Sequence, residues 1–510
     1  MALRRYTATK DNVITNAFKS NLITRGTGSN MGLSDSVEVF SIYAQANSSS
    51  NEQAKTLVQF PVLTSDTTTP NSLYTIQGDR NNNKIPASGS VDFYLRVFNV
   101  ATDQTLPRDF TMVVSPISQS WQEGYGLDME DYSDLTYDGT GSNWINASAH
   151  TKWQHGGGVT IEGGSFLSAS WMGASSTFYD EFNFTQNFVD GTEDIEIKIT
   201  GLVEKWLSGD YTNYGIGLML TSSQASGSRS YYTKRFSARG SEYFFKRPII
   251  EARWDDTKQD NRGNFILSSS ALSADNNLNT IYLYNYYRGT PTNIHGIGTD
   301  PIYLSVFTSA SGGDELVVAP NSPVTGGHVS TGVYSASFAL STTASLVYDR
   351  WFSASANQGI GAASSITYHT GSFRPKSFAS SNVYSIPRYV TTITNLTDEL
   401  SNNDIARLRL FTRLKDWSPT IYTIASQEIE NDYIENAYYK VYREVDNYEV
   451  IAYGTGSEKH TRLSYDATGS YFDLDVRMLE PGYSYGIKFL YYVNNAYEEQ
   501  PESFTFRVVE

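Results

Sequence analysis

Between Ser118 and Gly158 the chain crowds side chains able to do chemistry. They are Trp121, Trp144 and Trp153, the acids Asp128, Glu130, Asp131, Asp134 and Asp138, and His150 and His155. Trp144 and Trp153, flanked by Asn, Ser and Gly, carry flat apolar faces suited to the apolar face of a pyranose. With Asn143 and His155 they form the candidate carbohydrate-binding set. The competing use of an indole is to fill a core, because Trp buries a large area once its N–H finds a partner. Trp121, and Trp206 further along, are expected to be used that way. Asp128, Glu130, Asp131 and Asp134 supply the hard oxygen ligands that calcium takes, although without the spacing of an EF-hand. Calcium is therefore the one ion this loop could hold, and no other cofactor is expected. His150 and His155 fall short of the three or four ligands of a zinc site.

Catalytic patterns are missing where they would be sought. No two His flank a Glu at i, i+4 as on a zinc-protease helix. Gly26-Thr27-Gly28-Ser29 and Gly454-Thr455-Gly456-Ser457 lie in Ser/Gly-rich turns without the strand-to-helix elbow of a nucleophilic serine. Gly157-Gly158 lacks the Lys-Ser/Thr and helix of a phosphate loop. A glycosidase needs two carboxylates facing each other across a cleft, and a loop rich in acids singles out no such pair. The expectation is a protein that is not an enzyme.

The elements around the loop read as strands. Val91, Phe93, Leu95 and Val97 alternate with Asp92, Tyr94 and Arg96, and Ile195, Ile197 and Ile199 alternate with Glu196, Lys198 and Thr200. That period of two marks half-buried strands. Leu202, Val203, Trp206 and Leu207 switch to helical spacing before Gly209, which predicts one short helix closed by a glycine. With 37 Tyr, 25 Phe and 39 Gly the composition suits pleated surfaces joined by turns. Length sets a prior of about three domains. The expected boundaries are 1–256, then 264–382 after the polar linker Asp255–Gly263, then 386–510, with the Ser/Ala/Gly-rich 353–382 as loop or linker. The turn at Glu480-Pro481-Gly482-Tyr483-Ser484-Tyr485 precedes a late strand in the manner of an immunoglobulin-like sandwich. The fold class expected is all-β: a jelly-roll-like β-sandwich followed by two smaller immunoglobulin-like β-sandwiches.

Charge and cysteine usage narrow the partners. A net charge of −16 gives no electrostatic footprint for nucleic acid. With no Cys there is no disulfide framework and no thiolate nucleophile, which fits assembly in a reducing cytoplasm. The segment MALRRYTATKDNV lacks the apolar run of a secretory signal, and no stretch approaches the roughly 18 apolar residues of a membrane span.

A set of short motifs in the first half resembles the disaggregatase-related (DNRLRE) domain. They are Asp11-Asn12-Val13-Ile14, the strand from Leu57 to Val62, and Trp121-Gln122-Glu123-Gly124. To these are added Trp144, Trp153 followed by glycines, the 195–207 strand and helix, Asn213-Tyr214-Gly215 and Arg247-Pro248-Ile249-Ile250. The resemblance covers about residues 8–256, with insertions at the Ser/Asn loop, 64–88 and 163–180, and with a degenerate stretch at Ser237–Tyr243. It implies a jelly-roll sandwich of the carbohydrate-binding-module kind, carried on larger surface proteins. The whole chain also resembles structural proteins of contractile-tailed bacteriophages of marine bacteria. What that implies is a non-enzymatic virion component of tail, neck, baseplate or capsid, assembled in the host bacterial cytoplasm. It would be a homo-oligomer held to other virion proteins by protein–protein contacts. The alternative expectation is an adhesin recognising host glycan.

Overall fold

The computed structural model describes residues 2–46, 50–66, 75–102, 106–127, 132, 140–155, 159–167, 182–228, 230–353, 365–378, 387–418, 420–421 and 431–510. Two compact units result: an N-terminal unit of Ala2–Asp255 with Gly456–His460, and a C-terminal unit of Asp256–Thr455 with Thr461–Glu510. Both are antiparallel β-sandwich structures, as the alternating patterns predict.

In the N-terminal unit the strands, in chain order, are β1 (Leu3–Thr7), β2 (Lys10–Thr15), β3 (Ser36–Tyr43), β4 (Asn51–Gln59), β5 (Asp92–Val97) and β6 (Phe110–Pro116). Four very short strands follow in and just after the tryptophan stretch: β7 (Asn146–Ser148), β8 (Thr151–Lys152), β9 (Gln154–His155) and β10 (Val159–Thr160). The set is completed by β11 (Phe184–Phe188), β12 (Ile195–Lys198), β13 (Ile216–Leu220), β14 (Tyr231–Ser237) and β15 (Ile249–Arg253). One sheet has the order β1-β15-β5-β12; the other runs β11-β6-β13-β4-β3-β14 with β2 beside β4. Val13, Val58, Val114 and Leu218 of the larger sheet meet Phe93, Leu95, Ile195 and Ile250 of the smaller in the main core.

The helix α1 (Ile76–Asn81) is capped by Thr75, whose hydroxyl accepts from Gly78 N–H at 2.9 Å. The helix α2 (Thr200–Ser208) puts Leu202, Val203 and Trp206 into the core and ends on Gly209 at φ 81°. A left-handed C-cap is where glycine costs nothing. The smaller sheet carries one buried ionic knot on β15. Glu251 lies 3.7 Å from Arg5, 3.2 Å from Arg96 and 3.5 Å from Arg253. Burial alone would push its carboxyl up, but the three guanidinium groups hold it down at about 2.

The C-terminal unit contains one large sheet and a sandwich. The large sheet has eight strands: six in the order 279–284, 333–340, 324–330, 302–307, 347–353 and 366–373, and two short ones, 315–316 beside 302–307 and 318–319 beside 333–340. Phe265, Tyr334, Phe338 and Trp351 fill its core. Residues 366–373, within the stretch expected to be loop or linker, form an edge strand paired to 347–353. Its Ser, Thr and Gly composition hid it, because an edge strand needs no apolar face. The sandwich has a four-stranded sheet and a six-stranded one, and its strand 399–401 runs parallel to the last strand, 504–509. The expected turn before a late strand is present, and Tyr485 at its end fastens it: its ring is fully buried, its hydroxyl donates to Glu480 O at 2.8 Å and accepts from Glu480 N–H at 2.9 Å. The polar segment expected to be a linker is packed rather than free. Asp260 is buried, its N–H donates to Tyr465 O at 3.0 Å, and Asn261 Nδ2 donates to the Tyr465 hydroxyl at 3.1 Å.

Candidate functional site

The tryptophan stretch covers the outer face of the larger sheet. Because side chains alternate along a strand, the residues next to the main-core set point the opposite way: Ile14 on β2, Leu57 on β4, Val113 on β6 and Met219 on β13. These four meet Trp121, Trp144, Ala147, Trp153 and Phe166 in a second buried cluster. The N-terminal unit therefore has a third layer, made of loop. The expectation that Trp144 and Trp153 offer their faces to a sugar is corrected: both take the competing use of an indole and fill a core.

Trp153 is fully buried, and its indole N–H donates to Asn143 O at 2.7 Å. Trp121, as expected, is core; its N–H donates to Tyr214 O at 2.8 Å. Trp144 keeps 7% of its surface exposed, with Gly163 against its edge and Lys55 Nζ 5.1 Å over its ring. Neither Trp144 nor Trp153 offers a free face for a sugar. Their apolar area is satisfied by Leu57, Val113 and Met219 beneath. Asn143 is buried as well, its Oδ1 accepting from Ile145 and Asn146 N–H at 2.9 and 2.8 Å. It shapes a turn and faces no ligand. For His155 only the backbone is described, on β9. Asp128, Glu130, Asp131 and Asp134 lie outside the described residues, so the calcium expectation stands where it stood. Among the described residues no group of three His, Asp or Glu is gathered for a metal.

What holds the layer down is a polar frame that spacing alone did not reveal. Asn12 and Asn30 are both fully buried. Asn12 Nδ2 donates to Ser142 O and Oγ at 2.9 and 2.8 Å, and its Oδ1 accepts from Met31 N–H at 2.9 Å. Asn30 Nδ2 donates to Glu123 O and Ser142 O at 2.7 and 2.9 Å, while its Oδ1 accepts from Gly126 N–H at 2.9 Å. Two amides thus knit segments 29–32, 122–126 and 141–143 together, each with its hydrogen-bonding capacity largely filled. The approach is close enough that a Cβ on Gly126 would sit 1.6 Å from Asn30 O.

Beside this frame Asp11 and Glu123 share Arg239. Glu123 Oε1 accepts from Asp11 N–H and from Arg239 Nε, both at 2.9 Å, and Asp11 Oδ2 accepts from Arg239 N–H. Burial pushes the Asp11 carboxyl up to about 7; the Arg239 N–H opposes this and Glu123 adds to it. Glu123 is also raised, again by burial first. Lys55, fully enclosed and donating to Gly163 O at 2.6 Å, is pushed by burial down to about 7.

The frame leaves an apolar rim exposed. Tyr125 and Leu127 are each 62% exposed, and Leu33 N–H donates to Gly126 O at 3.0 Å, which brings exposed Leu33 to the same rim. Sequence reasoning passed over these residues. Their signal was an apolar residue on either side of Gly126 in an otherwise polar loop. Elsewhere in the unit an open depression of about 600 Å³ lies between α1 and α2. Its Arg80 and Glu204 form a two-pronged pair at 2.7 and 2.6 Å, which leaves both charges answered by each other.

No family model matches the chain, and no curated protein matches it. Among solved structures, trypsin-activated alpha-2-macroglobulin from Escherichia coli aligns at 9% identity, over 82% of this chain and 22% of that one, with a TM-score of 0.15. The native conformation of the same E. coli protein aligns at 9% identity, over 81% and 20%, with a TM-score of 0.13. The chain spans about a fifth of the length of those proteins. Similarity this slight carries no argument about function.

Proposed function

We propose that this chain is a non-enzymatic structural protein of a tailed-bacteriophage particle, an adaptor or decoration that works through protein–protein contacts. The observation that supports it best is the use made of the tryptophan stretch. Its indoles, its buried amides and its closest glycines all serve to fasten a third layer onto a sandwich. What faces outward is Tyr125, Leu127 and Leu33 on a stiff frame, an apolar rim of the kind protein partners cover. The DNRLRE-like motifs fall on this same construction: Asp11-Asn12 and Trp121–Gly124 are its fastening points. Other virion proteins, together with further copies of the chain, are the partners this reading names.

The glycan-binding alternative loses the two ring faces on which it rested, since Trp144 and Trp153 are buried. Glycan-array screening of the purified chain separates the two. The structural reading expects no binding above background. Binding to a defined bacterial glycan that disappears in Tyr125→Ala would establish the alternative.

A further inference from the structure

Lys234, on edge strand β14, has no exposed surface and is as enclosed as Lys55 of the same sheet. Its Nζ donates to Asn99 Oδ1 at 2.6 Å and to Gly191 O at 2.7 Å. The rings of Phe188 and Phe236 lie 5.1 and 5.3 Å from the amine, so it sits in an apolar sleeve. Asn99 follows β5 of the other sheet and is fixed against β14 by backbone pairing. It bridges Phe236, Val100 N–H donates to Arg235 O at 3.2 Å, and Ser237 N–H donates to Phe98 O at 2.9 Å. Asn99 N–H donates to Asp194 Oδ1 at 2.7 Å. Next along the chain, Glu193 accepts on Oε1 from Val189 and Asp190 N–H at 2.7 and 2.8 Å. Its Oε2 is buried and has no hydrogen-bond partner among the described residues.

A fully buried primary amine is thus held against a half-buried carboxamide by strands paired through their backbones, with the half-buried Glu193 carboxylate near enough for its charge to act on the amine. We propose that Lys234 and Asn99 form an intramolecular isopeptide bond, with Glu193 as the proton shuttle. The Lys234 Nζ, as the free amine, adds to Asn99 Cγ and forms the new C–N bond. The Cγ–Nδ2 bond breaks, and Glu193 carries the proton lost by the amine to the departing nitrogen, which leaves as ammonia. Nothing is oxidised or reduced, and no second reactant is consumed. Burial favours the reactive form: it lowers the Lys234 ammonium to about 8 against the opposing charges of Glu193 and Asp194.

The bond would tie the two sheets of the sandwich across 135 residues of sequence, in a chain with no Cys to make a disulfide. Closing a loop of that length removes much of the freedom of the unfolded chain.

Intact-mass spectrometry of the full, denatured chain tests this. The wild type should weigh one ammonia less than its sequence, about 17 Da, and a tryptic digest should contain one branched peptide joining Lys234 to Asn99. Asn99→Ala and Lys234→Arg should each restore the full sequence mass, and Asn99→Ala should melt roughly 10 °C lower. A full sequence mass for wild-type protein shown by circular dichroism to be folded would overturn the proposal. So would a deficit that persists in Asn99→Ala.

Discussion

At the scale of single residues, the buried charges make predictions that a surface charge would not. Asp11 has a folded pKa of about 7 against 3.8 unfolded, so between those values the folded chain holds a proton the unfolded chain has released. Its contribution to stability is therefore present at acid pH and is lost as pH rises towards 7. Asp11→Asn keeps an acceptor for the Arg239 N–H and removes the titration. Thermal unfolding of the two proteins should coincide near pH 4, with the variant the more stable at pH 8 by roughly 2–4 kcal/mol. Equal stabilities at pH 8 would contradict the burial of that carboxyl. Glu251 predicts the opposite behaviour. Glu251→Gln leaves three arginines around a neutral amide and should lower stability at pH 7 by roughly 3–5 kcal/mol. That loss should shrink as the wild-type carboxylate protonates between pH 4.5 and about 2. Denaturant titration at pH 7 and pH 3 checks both.

At the scale of elements, what could be read in the sequence followed from how many neighbours decide a strand. The alternations at 91–97 and 195–199 gave β5 and β12 within a residue or two. Helix α2 was legible because Trp206 and Gly209 each had one use. The strand at 366–373 was not, because its partner 347–353 supplies the pairing while most of its own side chains, Phe373 apart, are exposed or half-buried. The tryptophan layer was legible as a unit and misread in its role. Composition shows that indoles are present; only the sheet shows a second apolar face, with Ile14, Leu57, Val113 and Met219 waiting for cover. Asn12 stood out only as part of a motif and Asn30 not at all, and the role of both was hidden because their partners lie about a hundred residues away. The layer predicts two outcomes. Trp153→Ala should cost roughly 3–5 kcal/mol of stability in urea titration, as for other buried aromatics. Gly126→Ala should weaken the Asn30 junction and make the 118–158 stretch the first site of limited proteolysis. A Gly126→Ala digestion pattern identical to wild type would mean the junction does not fasten the loop.

At the scale of the whole chain, the construction repeats one solution. Sheets are faced with aromatic side chains, charges are paired or buried against partners, and turns are stabilised by Asn and Gly without disulfides or metal clusters among the described residues. Tyr485 closes the last sandwich by a hydroxyl shared between the N–H and C=O of Glu480, where the first unit uses buried amides. A structural component gains from such stiffness because its role is to keep neighbours in register. That proposed role stands apart from any single site, and the particle itself is where it must be tested. Mass spectrometry of particles purified by density gradient and washed in high salt is the direct measurement. The chain should stay with the particle after the wash, in fixed proportion to the major structural proteins. Its absence from washed particles, with the chain recovered free in the lysate, would contradict it.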